Sequence, residues 1–142
     1  MKKIAALITT LLCALQLVGC GTRPASEAKI DYGTSSLYTK EDMDEAIKLI
    51  EELFDNELDG CELHSLTYEG DSECNAENVA WLNDLEKARD NKERFKEYIA
   101  FKSDFRSPMI AYGAWEADKD YHWDFCLGRS EGGKWKLMTW GY

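Results

Sequence analysis

Residues 98–140 carry the pattern that most restricts what this chain can fold into. In Tyr98–Phe105, Ile99, Phe101 and Phe105 fall on one side, and Lys102 and Asp104 on the other. Tyr121–Arg129 alternates again, with Tyr121, Trp123, Phe125 and Leu127 on one face. A period of two is that of a strand with one buried face. Ser130-Glu131-Gly132-Gly133 then reads as a hairpin turn, because glycine supplies the positive φ that tight hairpins need. Trp135–Trp140 follows as the last strand. Between the first two strands, residues 106–120 contain Pro108 and Gly113 and read as a longer connection, with a short strand expected over Ala111–Trp115.

Such a sheet must cover its apolar face, and two upstream segments offer the cover. Thr39 followed by Asp42 has the form of a capping box, and Met43, Ala46, Ile47, Ile50, Leu53 and Phe54 recur at helical spacing. Acids at 41, 42, 44 and 45 suit the positive end of that helix, and Gly60 lies just past its end. Cys61–Tyr68 reads as a strand whose imperfect alternation points to a bulge. Asn75 caps a second helix expected to run to about Asn91, burying Val79, Leu82, Leu85 and Ala88, with Trp81 widening the stripe. The expected class is α+β: two helices packed on one face of an antiparallel sheet of about four strands.

The N-terminus belongs to a different problem. Lys2 and Lys3 precede a largely apolar run, Ile4–Val18, which is shorter than a membrane span requires. This is the form of a secretory signal. Leu17-Val18-Gly19-Cys20 resembles the lipobox of bacterial lipoproteins, and that resemblance implies cleavage before Cys20 and a diacylglyceryl group on its sulfur. Two acyl chains hold a protein to a bilayer where one does so only marginally. The expected organisation is a signal peptide at 1–19, lipidated Cys20 with a flexible tether over 20–36, and a folded domain at 37–142. Such a tether reaches roughly 20–24 Å as a flexible coil. The expected location is the extracytoplasmic side of the cell membrane, with the bilayer as first partner through Cys20.

LYTKEDMDEAIKLIEELF, GCELHSLTY and the closing GGKWKLMTWGY resemble a family of small Gram-positive lipoproteins related to the cone-shaped nuclear-transport-factor-two-like fold, which is also the ketosteroid isomerase fold. The resemblance implies a curved, cone- or roll-like sheet wrapped against the helices, with room for a pocket. It brings no substrate, and a fold alone confers no activity.

Charge narrows the partners. The chain has 17 Lys and Arg against 27 Asp and Glu, net −10, and loss of the leader removes two lysines and no acid. Nucleic acid is disfavoured, because its binding rests on cations neutralising phosphates. After the leader and Cys20, three cysteines remain. Cys61 and Cys74 are the first choice for a disulfide, while the pairings with Cys126 and three unpaired thiols stay open. Asp55–Gly60 resembles the front of an EF-hand calcium loop, but Leu66 stands where that loop's twelfth residue supplies a bidentate Glu. His64 and His122 have no ligand spacing, so no metal and no cofactor are expected. A ketosteroid isomerase-like reaction needs a carboxylate and a donor in an apolar pocket, for which Asp104, Asp124, Tyr98 and Tyr112 have the right chemistry. No catalytic constellation is evident. Among five tryptophans, Trp123 and Trp135 read as core, and Trp115 and Trp140 as candidate ligand contacts, Trp140 on the face opposite Trp135. The functional expectation is a membrane-anchored, non-enzymatic ligand-binding or accessory domain. The alternatives are a small cone-fold enzyme acting on an apolar ligand and a subunit of an envelope complex.

Overall fold

The computed structural model describes residues 23–110, 113 and 115–141. Cys20, and with it the expected signal and anchor, lies outside the described residues, as do Tyr112, most of the strand expected at 111–115, and Tyr142. A short 3-10 turn at Ala25–Glu27 leads into β1 (Lys29–Asp31), α1 (Lys40–Asn56), β2 (Glu62–Tyr68), α2 (Ala76–Ala88), β3 (Glu97–Arg106), β4 (Asp120–Arg129) and β5 (Trp135–Gly141). The class is α+β, two helices packed with one open sheet in the order β1-β2-β3-β4-β5. No described helix is long and apolar enough to cross a membrane.

α1 starts where its cap requires. The Thr39 hydroxyl accepts from the Asp42 N–H at 3.2 Å, and the Asp42 carboxylate accepts from the Thr39 N–H at 3.1 Å. The expected stripe, Met43 to Phe54, is buried. It packs on Leu63, Leu66, Ile99, Phe101, Phe105, Phe125 and Leu127, with the Phe54 ring edge-on to Phe105 at 5.2 Å. In the closing hairpin Gly132 has φ 66, and the Gly133 N–H donates to the Ser130 carbonyl at 2.9 Å.

Three features differ from the expectation. The sheet has five strands, because β1 pairs in parallel with β2, Ile30 opposite Leu66. β1, α1 and β2 thus form a parallel crossover unit, and β2 to β5 are antiparallel. β1 arises inside the segment expected as a flexible tether. Ala25 is buried in the core, its N–H donates to the Asp55 carboxylate at 3.0 Å, and Asp71 accepts from Ser35 and Ser36. The folded part therefore begins well before Leu37. A three-residue strand is too short to show a period, which is why composition alone reads this stretch as a linker.

The third difference is the placement of α2. Tyr98, Ala100, Cys126 and Met138 alternate with the residues under α1, and they pack with Leu82 and Phe95 in a second cluster. α2 therefore lies on the face opposite α1. Its buried side is narrow: Leu82 and Glu86 are buried, while Trp81 and Ala88 are exposed. Buried Glu86 is held by Lys136 at 2.8 Å. Asn83 pins Phe95 through both its N–H and its carbonyl, laying the ring on Gly128.

Candidate functional site

Two β-bulges decide what the sheet presents. The register shift between Leu63 and Ser65 keeps Leu63 and Leu66 both under α1, and turns Ser65 to the other face beside Asp104. The second shift makes Met138 an extra residue: Leu127 faces Leu137 and Cys126 faces Thr139. Without it, Trp135 and Trp140, five residues apart, would face opposite sides. With it, Trp140 sits opposite Phe125 and stacks on that ring at 6.4 Å, on the same side as buried Trp135. The expected opposition of the two tryptophans is corrected by that one inserted residue.

Trp115, expected as an exposed anchor, is half-buried among Phe105, Tyr121 and Trp123, with ring centroids 5.7, 5.1 and 5.1 Å away. Trp140 remains 39 % exposed. The tryptophan that reaches solvent without having been expected to is Trp81, at 42 %. Its position on α2 reads as core only if the helix is buried on a wide stripe, and this helix is not.

Cys61 and Cys74 lie beyond opposite ends of β2, a seven-residue strand about 20 Å long. A disulfide needs Cα atoms within about 7 Å, so the first-choice pair is corrected. All three described cysteines are free thiols. Burial pushes the Cys61 thiol up to about 11 and raises Cys74 and Cys126 as well. Neutral buried thiols are poor nucleophiles.

The acids near the expected sites have other employment. Asp55 holds the Ala25 N–H, and Leu66, at the EF-hand position that should ligate, is buried in the core. Asp104 stands on the open polar face, accepting from Ser65 Oγ at 2.7 Å and contacting His122 Nδ1 at 2.5 Å. The carboxylate sits between serine and imidazole, so the Ser65 hydroxyl is engaged by Asp104 and not by the His122 ring. These hydrogen bonds, that of Ser65 first, hold the Asp104 carboxyl low. That is the reverse of the raised carboxyl an apolar catalytic pocket produces. Tyr98 lies at the other end of β3, buried under α2, its hydroxyl donating to Cys126 Sγ at 3.2 Å.

One arrangement brings unlike functional groups together. Beside the N-terminal half of α2, a cleft of about 330 Å³ is lined by Glu69, Glu73, Trp81 and Asp124, among others. Glu69 comes from just past the end of β2, Glu73 from the turn before α2, Trp81 from α2 and Asp124 from β4. Lys102 spans Glu69 at 3.4 Å and Asp124 at 3.8 Å. Two of the three carboxylates therefore share one ammonium, and Glu73 adds a third negative charge to the cleft. Desolvation, and next the nearby Asp124, raise the Glu69 carboxyl, as in a site with more negative charge than its own cations balance.

Set against known proteins, the chain matches no family model, no curated protein and no solved structure.

Proposed function

We propose that this is a lipid-anchored extracytoplasmic protein whose domain binds a small organic cation in the cleft beside α2 and does no chemistry on it. The leader and the Leu-Val-Gly-Cys sequence ending at Cys20 support the anchor. The cleft carries the binding reading: carboxylates Glu69, Glu73 and Asp124 surround a space rimmed by exposed Trp81, and the face of an indole attracts cations. The buried thiols and the serine engaged by Asp104 rather than by histidine favour binding over turnover.

Two measurements test this. Membrane fractions should hold the protein, and Cys20→Ala should release it from lipid; a variant that stays in the membrane sinks the anchor. In calorimetry with choline and putrescine, millimolar binding is expected. Trp81→Ala should weaken choline by about two- to fivefold, the worth of an exposed cation–π contact. Absence of heat with both amines, or equal binding by Trp81→Ala and Asp124→Asn, overturns the cleft.

A further inference from the structure

The sheet has two edges, and they differ. β1 is only three residues long, which by itself limits pairing with another chain. β5 is seven residues long, contains no proline, and among the described residues pairs only with β4. Among the described residues, the Met138 carbonyl of this strand accepts from Arg89 at 2.9 Å on the α2 side.

Next to this edge, α1 and β5 form a groove of about 380 Å³. Leu49 and Leu53 of α1 and Leu137 and Trp140 of β5 line it, with Glu52 and Glu57 at its rim. A strand edge beside an apolar groove is the geometry by which an extended peptide adds to a sheet. The main chain pairs with the edge, and every second side chain enters the groove.

The charge of the groove selects the occupant. The last turn of α1 carries no basic residue, and a helix C-terminus is already negative by its backbone dipole. Among the described residues Glu52 pairs with Lys48 alone, at 4.0 Å in an exposed one-turn pair, and the chain as a whole is net −10. A second copy of so acidic a chain is repelled from this rim. We infer that the β5 edge and the α1 groove dock an extended segment of a partner protein, added as a sixth strand, with apolar residues alternating and Lys or Arg meeting Glu52 and Glu57. This does not rest on the cation cleft, although Trp140 borders both.

The test uses the full chain in detergent and three synthetic decapeptides: one alternating Val and Lys, one alternating Val and Glu, and the Val–Lys peptide N-methylated at alternate residues. The Val–Lys peptide should bind and protect the outward amides of residues 135–141 from hydrogen exchange. Glu52→Gln and Glu57→Gln, both at exposed surface, should each weaken it about two- to fivefold, the scale of a rim ion pair. The N-methylated and Val–Glu peptides should not bind. Three results overturn the inference: binding that survives N-methylation, which would be charge attraction alone; β5 amides that exchange unchanged; and concentration-dependent self-association that protects β5, which would make a second copy the occupant.

Discussion

Gly128 offers the sharpest test of the packing. A Cβ at this position would meet the Phe95 ring at 2.6, 2.8 and 2.9 Å from three of its carbons. Its φ is not in the left-handed region, so alanine adds no backbone strain and the effect is one of contact alone. The ring has nowhere to retreat: it is 1 % exposed, and Asn83 grips the Phe95 backbone by hydrogen bonds of 2.8 and 3.1 Å. Forcing a methyl into a filled site costs about 1–3 kcal/mol. For a domain of this size that lowers the melting temperature by about 4–12 °C. Circular dichroism melts of Gly128→Ala, Phe95→Leu and the double variant measure it. Because the two side chains collide, the double variant should be more stable than the sum of the singles by about 1 kcal/mol. A Gly128→Ala melt within about 1 °C of the parent, or strict additivity, would refute the placement of Phe95 on β4 and the seating of α2 behind it.

Two further outcomes follow from the same geometry. After unfolding without reductant, Cys61, Cys74 and Cys126 should all alkylate, and a Cys61–Cys74 crosslink in the peptide map would contradict the extended course of β2. Arg129 clamps Glu97 at 2.7 and 2.9 Å and Asp42 at 2.8 Å while stacking on Trp135, and its hydrogen bond is the first cause holding the Asp42 carboxyl low. A carboxyl lowered by folding adds stability above its unfolded pKa, which is lost as pH falls through the folded value. Arg129→Gln should therefore cost about 1–3 kcal/mol at neutral pH and flatten the fall in stability below about pH 4, whereas an unchanged acid limb would remove Asp42 from the account.

Much of the architecture was legible in the sequence because it is local. The Thr39–Asp42 cap, the Met43–Phe54 stripe, the alternation of β3 and β4 and the Gly132 turn each need only neighbouring residues. β1 escaped because three residues carry no period and its only signal is a partner some 36 positions away, Lys29 against Ser65. α2 could not be assigned to a face, since its narrow stripe fits either; the second apolar set, Tyr98, Ala100 and Cys126, is interleaved with the first and names a second face only once the register is known.

For the candidate site the division is sharper. The chemistry available, that of an acidic, tryptophan-rich chain, is a property of the sequence itself. Which groups meet was decided by tertiary structure. One inserted residue at Met138 put Trp140 on the α1 side, and a bulge beside Leu63 brought Ser65 to Asp104. The turn after β2 carried Glu69 and Glu73 to Asp124 and Trp81. A strand's period of two makes every side chain's face depend on the parity of the residues before it, and parity can be reset by a single bulge that leaves no mark in composition.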